Sequence, residues 1–222
     1  MGAREFLGMP LEEAISTQRA IRRFKLEPVD DDLVLHLIEL ALKAPTGGNA
    51  QNWEFIIVKD AQVKARLAAL NRQAWRIYRG ISRRSTAKTD QSTLRMLEAA
   101  DWLASHLHET PVLVVACLKG VIPPWPPFAT ASLYASIFPA VQNLLLAARA
   151  AGLGAVLTTL PLWSRFLARR ALGLPWNVTP SAVVPLGWPI GRYGPTRRRP
   201  VEEVVSLDRY GNRAFRSKRN PG

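Results

Sequence analysis

Ala44-Pro45-Thr46-Gly47-Gly48-Asn49-Ala50-Gln51-Asn52-Trp53 is the stretch from which the fold is read. Before it, Leu33, Leu37, Leu40 and Ala41 recur at helical spacing. After it, Phe55-Ile56-Ile57-Val58 is an apolar, β-branched and aromatic run that predicts a buried strand. Pro45 ends the helix, and the two glycines permit backbone conformations closed to residues with a Cβ. Asn49 and Gln51 then bring amide donors and acceptors into a loop beside apolar Trp53. A turn needs Gly and Pro, but it does not need Thr, Asn and Gln together. Two readings stand: an ordinary helix-to-strand connection, or amides that line a polar, planar ligand.

Working outward, Pro10 to Gln18 predicts an amphipathic helix with Leu11, Ala14 and Ile15 on one face. It runs into Gln18-Arg19-Ala20-Ile21-Arg22-Arg23-Phe24, which holds three arginines within five positions. Asp30 to Asp32 supply a cap and an acidic first turn for a helix over Asp31 to Lys43. Past the strand at Glu54 to Lys59, Asp60 caps a helix from Ala61 to Ala69 or beyond. The polar, basic stretch 71–93, with Trp75 and Tyr78 embedded, reads as a helical excursion or a mobile cover.

Helical periodicity returns over Leu94 to His108. Thr110 to Leu118 is a strand continuous enough to be buried on both faces. Val121 to Phe128, with four prolines, reads as a loop. Ser132 to Ala151 is the longest apolar helix pattern, and Pro139 either kinks it or marks its effective start. Gly152-Leu153-Gly154 stops that helix before a strand or extended segment at Ala155 to Thr159. A short helix over Leu162 to Leu172, a strand over Ala182 to Trp188 and a Gly/Pro/Arg loop over Gly191 to Pro200 follow. Three or four strands among about seven helices give an α+β domain.

A chain of 222 residues, 48% of them hydrophobic, suits one large domain or two small ones. Thirty Lys and Arg against 17 Asp and Glu leave a net charge of +13, which suggests nucleic acid, an acidic surface or a phosphorylated ligand. The basic residues fall in scattered clusters, and no aromatic residues interleave with them at an RNA-binding spacing. Cys117, the single cysteine, lies in an apolar run and reads as a buried, inert thiol. His106 and His108 lie two apart with no third residue at metal spacing, so they read as helix-end residues. No apolar run approaches a bilayer span and the N-terminus lacks a signal-peptide core, so a soluble cytoplasmic protein is expected.

The sequence contains neither G-x-G-x-x-G after a strand, nor a P-loop, nor a Ser-centred nucleophile elbow. It shows no paired carboxylates and no nucleophile with an adjacent base. Chemistry on this chain therefore points to a bound cofactor. Arg19 to Arg23 and Arg197 to Arg199 are far apart in sequence. They are either solvated surface or two guanidinium groups closing on one phosphate. Thr158 and Thr159 add hydroxyls and N–H groups at the mouth of an apolar segment.

Gln18 to Phe24 resembles the R-R-S-x-R-x-F signature of the FMN-dependent nitroreductase family, and Ala44 to Trp53 is similar to that family's A-P-S-x-x-N-x-Q-P-W loop. Pro139 to Ala148 with Ala151 to Gly154 resembles its long central helix. Leu186 to Pro189 and Arg197 to Pro200 match its closing strand and C-terminal basic motif. The resemblance covers about residues 10–206 as a single domain and leaves 207–222 as a basic tail.

It implies an α+β fold with a central mixed or antiparallel sheet of about four to five strands flanked by helices. It also implies an intertwined homodimer with FMN at the interface. By position, Gln18, Arg19, Ala20 and Arg22 would hold the phosphate and ribityl chain. Pro45, Thr46, Gly47, Asn49 and Gln51 would pack on the flavin ring. Thr158, Thr159 and Leu160 would face its N5, and Arg197 and Arg198, or Arg199 by register, would complete the phosphate clamp. Gln18 stands where the family has Arg, Ala20 where it has Ser, and Asn52 where it has Pro.

The activity implied is hydride transfer from NADH or NADPH to FMN and on to a small electrophile such as a nitroaromatic or quinone. No side chain serves as nucleophile, no metal is needed, and no nucleic-acid or membrane partner is expected. The rival reading is a flavin-binding protein without turnover, with 71–93 as a lid. A nucleic-acid role rests on the charge alone.

Overall fold

The structure, a computed structural model, describes residues 7–85, 91–120, 127–191 and 193–213. Its centre is β2 (Val112–Lys119), buried on both faces from Val112 to Leu118. β-Branched and apolar side chains without a polar alternate leave neither face for water. β1 (Trp53–Val58) pairs on one edge and β4 (Val178–Gly187) on the other, with the two-residue β3 (Gly154–Ala155) outside β4. The order is β1-β2-β4-β3 and every ladder is antiparallel. Among the described residues the sheet is thus four-stranded and antiparallel rather than mixed. Parallel pairing occurs in the isolated bridge between Ala20 and Ala155.

Alternate residues of β2 face two different cores. Val112, Val114, Ala116 and Leu118 meet α2 (Asp31–Ala41) and α5 (Pro127–Ala150). Leu113, Val115 and Cys117 meet α3 (Ala61–Ser85), α6 (Arg165–Leu172) and the end of α4 (Gln91–His106). The period of two in the strand thereby separates two helical layers. α2 starts where its acids predict, with the Asp30 carboxylate accepting from Asp32 N at 2.9 Å and Leu33 N at 3.2 Å. α1 (Leu11–Thr17) is tied to α5 by Arg149, whose Nε donates to Thr17 Oγ1 at 2.8 Å.

Several boundaries differ from the sequence expectation. The stretch 71–93 is helical wherever it is described, because α3 continues to Ser85 and α4 starts at Gln91; residues 86–90 lie outside the described set. α5 begins at Pro127, so Phe128 belongs to it and not to the proline loop, of which 121–126 are outside the described residues. Proline fits a helix's first position because the N–H it lacks has no partner there. α5 also runs through Pro139, which therefore does not mark its start. β4 starts at Val178, earlier than Ala182, with Pro180 at the β2 register shift where the ladder is already irregular. α6 starts at Arg165 after the Ser164 cap, and Leu160–Leu162 forms a separate 3-10 turn.

Thr130–Ala150 is long and apolar enough to span a bilayer by length and composition, contrary to the expectation that no stretch is. It is a core helix: Ile137, Ala140, Val141 and Leu144 are fully buried against the sheet.

Two glycines let the chain 20–25 close onto the sheet edge. A Cβ on Gly154 would stand 2.7 Å from Ile21 Cγ2 and 3.0 Å from Ile21 Cβ, and one on Gly187 would stand 3.0 Å from Pro111 Cδ and 3.3 Å from Phe24 Cβ. In the space they leave, Ile21 N donates to Ala155 O at 3.1 Å and Lys25 N to Trp188 O at 2.8 Å. We expect Gly154→Ala to destabilise the fold by about 1–3 kcal/mol through overpacking. Urea denaturation measures this, and an unchanged midpoint would refute the close approach.

Candidate functional site

The strand-like segment 18–24 distributes its arginines to different places. Arg22 turns towards α3 and α4 and lines a cleft of about 260 Å³. Burial lowers its guanidinium pKa from the ordinary value. Among the described residues it forms no ion pair and no hydrogen bond. Arg19 lies by the C-terminal strap instead, its Nη1 4.0 Å from where a Cβ on Gly194 would sit. The strap is pinned there, because Thr196 N and Oγ1 both donate to Ser16 O, at 3.0 and 3.2 Å. Upstream, Arg149 stacks 4.1 Å over the Tyr193 ring and the Tyr193 hydroxyl donates to Leu153 O. Arg197 and Arg198, both exposed, therefore follow Thr196 at the same end of the molecule as Gln18 and Arg19.

The cleft beside Arg22 is built by helical spacing. Asn71, Trp75 and Tyr78 form an i, i+4, i+7 stripe on α3, and Met96, Ala100 and Leu103 form the same stripe on α4. Val156, Leu157, Thr158 and Leu160 close the floor. The walls are mainly apolar and aromatic, with the Trp75 and Tyr78 rings stacked at 5.4 Å. Asn71 is only 2% exposed, and among the described residues its amide makes no hydrogen bond. The two helices are held together by Asp101, which accepts from Trp75 Nε1 at 2.5 Å and Arg79 Nη2 at 2.9 Å. Thr158 and Val183 exchange backbone bonds at 2.8 and 2.9 Å, and Thr158 Oγ1 accepts from Leu160 N at 3.3 Å. Thr159 is exposed and precedes the 3-10 turn.

The opening loop lies on the other helical layer. Gly47 N donates to Ser136 Oγ of α5 at 3.2 Å, and Trp53 Nε1 to Ser136 O at 2.8 Å. The amides expected to face a ligand partly satisfy each other, since Gln51 Nε2 donates to Asn49 Oδ1 at 3.0 Å and Gln51 N to Thr46 Oγ1 at 3.2 Å. Asn49 and Gln51 both have positive φ, 52° and 46°, a left-handed conformation that is uncommon for non-glycine residues and costs more for Gln than for Asn. Pro45, Gly47, Asn49 and Gln51 are exposed. Within one chain the structure brings Arg22, Thr158 and Leu160 together in the cleft, bridges Ala20 to Ala155 beside it, and places Arg19 by Gly194 of the strap that leads into Arg197 and Arg198. It does not bring Pro45 to Gln51 to either group.

Asn71, Met96, Ala100 and Leu103 were not singled out from sequence as site residues. The signal was present in the two matching stripes, but only the packing of α3 against α4 makes the stripes face each other.

Cys117 contributes nothing to the cleft. It is fully buried, and its thiol is pushed up to about 12 from 9.0, first by burial and then by the Glu54 charge. A thiol with a raised native pKa keeps its proton where the unfolded chain loses one. Its contribution is full below pH 9 and lost as pH rises towards 12. Wild type should therefore lose about 1.4 kcal/mol per pH unit above pH 9 relative to Cys117→Ala. Parallel pH–stability curves for the two proteins would refute this.

The model of the nitroreductase family matches residues 15–188. A protein of Methanothermobacter thermautotrophicus described as an NADH dehydrogenase/NAD(P)H nitroreductase is 27% identical over 183 residues, covering 82% of this chain and 78% of that protein. An iodotyrosine deiodinase of Haliscomenobacter hydrossis is 29% identical over 177 residues, covering 78% and 76%. The NADPH:FMN oxidoreductase of Vibrio harveyi, solved with NAD+, superposes with a TM-score of 0.69 at 21% identity, over 90% of this chain and 77% of that one. With the antiparallel sheet, the paired helical layers and the order of the motifs, this match shows that the chain belongs to the nitroreductase family.

Proposed function

We propose that the protein is an FMN-dependent oxidoreductase that accepts reducing equivalents from NADH or NADPH and passes them to a small electrophile such as a nitroaromatic or quinone. The observation that carries the reading is a half-buried guanidinium, Arg22, and a buried amide, Asn71, which line an otherwise apolar and aromatic cleft without a side-chain partner among the described residues. Such groups are costly to bury without a partner. A flat heterocycle with polar atoms along one edge would satisfy both while its ring packs against the apolar walls. The strap end suits the phosphate: Arg19 lies beside Gly194, Arg197 and Arg198 follow the pinned Thr196, and no carboxylate is paired with these guanidinium groups among the described residues. Bound there, FMN would supply two-electron hydride chemistry. The chain's own residues place the ring, hold the phosphate and keep water out of the cleft.

A second copy of the chain completes this site. The loop Pro45 to Gln51 packs on the α5 layer and cannot meet Thr158 to Leu160 within one protomer, since the sheet lies between the layers. Apolar residues left exposed on α1 and the C-terminal segment, Leu11 at 68% and Val204 at 54% among them, fit such a contact. The rival reading, flavin binding without turnover, draws on the Asp101 tie that holds α3 and α4 over the cleft. The deiodinase relative leaves reductive dehalogenation open as the acceptor chemistry.

Purified protein should be yellow, and anaerobic NADH or NADPH should bleach it. A colourless protein that ignores FMN and FAD overturns the proposal, and bound flavin that neither nicotinamide reduces selects the rival. Arg19→Ala and Arg197→Ala should each weaken FMN about 10- to 100-fold, the value of a charge-assisted hydrogen bond, while leaving riboflavin affinity unchanged. Titration calorimetry with both ligands measures this, and equal losses for FMN and riboflavin would show that the arginines do not hold the phosphate.

A further inference from the structure

The outer face of α6, which shares no lining residue with the cleft, carries the second unusual surface of the molecule. Phe166 is 60% exposed and Trp176, on the loop after α6, is 75% exposed. Between and beside them lie two shallow apolar hollows of about 430 and 230 Å³ that share Arg170. Arg66 of α3 rims the larger one, and no carboxylate lines either. Arg66 and Arg170 form no ion pair among the described residues. The projection of Trp176 is fixed: Arg169 donates to Pro175 O at 2.9 Å and to Trp176 O and Val178 O, and its guanidinium lies 5.4 Å from the Trp176 ring centroid. A rigid exposed indole, a neighbouring phenyl and free arginines around apolar hollows form one cationic amphipathic face.

We infer that this face docks on the surface of an anionic lipid bilayer, with Trp176 and Phe166 at the headgroup boundary and Arg66 and Arg170 on lipid phosphates. Amphipathic segments with Trp or Phe beside Arg bind in this way, lying on the membrane without spanning it. The charge complementarity is strong, because the chain carries +13 and this face contributes no acid of its own. A nucleic-acid strand fits less well. Base stacking needs a free ring face, and one face of Trp176 is covered by Arg169. The hollows are also walled by Ala69, Leu70, Leu167 and Leu174, which suit acyl or glycerol carbons better than bases.

The test is co-sedimentation of the full chain with extruded vesicles of phosphatidylcholine alone or of equal parts phosphatidylcholine and phosphatidylglycerol. Wild type should bind the anionic vesicles and not the neutral ones, and added salt should weaken binding. Arg66→Gln and Arg170→Gln should each lower the partition coefficient about fivefold, and Phe166→Ser with Trp176→Ser about tenfold or more. All four side chains are exposed, so thermal melts of the variants should match wild type. Equal binding to both vesicle types, no binding to anionic vesicles, or undiminished binding by both sets of variants would overturn the inference. So would loss, in these variants, of binding to an acidic peptide or a single-stranded oligonucleotide when wild type ignores vesicles.

Discussion

Everything at the candidate site depends on one close approach of backbone to backbone. The chain from Ala20 to Lys25 lies against the sheet edge at Gly154 to Trp188, joined by a parallel bridge at Ala155, an antiparallel bridge from Phe24 to Pro189 and hydrogen bonds at Ile21 and Lys25. The contact is possible because positions 154 and 187 have no Cβ to place against Ile21, Phe24 and Pro111. From this seam Arg19 goes one way, to the strap held on Ser16, and Arg22 goes the other, into the α3–α4 cleft. A short N-terminal segment thus sends one arginine to the strap and another to the cleft.

Each end is organised by a different physical effect. At the strap the chain is pinned by hydrogen bonds to Ser16 O and the guanidinium groups of Arg197 and Arg198 are exposed, so any anion they meet is bound by charge that salt screens and by the forked geometry of arginine. In the cleft desolvation outweighs the rest. Asn71 is buried and Arg22 half-buried, and neither side chain has a partner among the described residues, an arrangement that costs free energy in a mainly apolar cleft. The same logic applies to Gln51, held at positive φ in an exposed loop. Strain of this kind persists where surrounding structure or a ligand determines the backbone, and here Ser136, Thr46 and Asn49 hold the loop from behind.

The α6 face shows how little the net charge of a chain says about its use. The +13 comes from clusters in separate places with different surroundings: exposed guanidinium groups at Arg197 and Arg198 beside the strap, a half-buried one at Arg22 in the cleft, structural clasps at Arg149 and Arg169, and exposed ones at Arg66 and Arg170 around apolar hollows. Only burial and partners separate these classes. Arg169 gives its donors to three backbone carbonyls, whereas Arg170, the next residue, gives none among the described residues.

The sequence by itself determined the elements whose signals are local. The Asp30 cap, the apolar run at Val112 to Leu118, the glycine stop after α5 and the motif order that identifies the family were all legible. So was the inert character of Cys117, since its neighbours in the strand are all apolar. Length of helix beyond the first periodic turns was less legible: α3 carries charges on most of its surface, and its apolar stripe is recognisable only once α4 is known to face it. Which residues meet was decided by the tertiary structure alone. The period of two in β2 sends alternate residues to separate layers, and this puts the Pro45–Gln51 loop and Thr158 on different sides of the sheet. No local pattern in a single chain records that separation, because it arises from packing between segments distant in sequence.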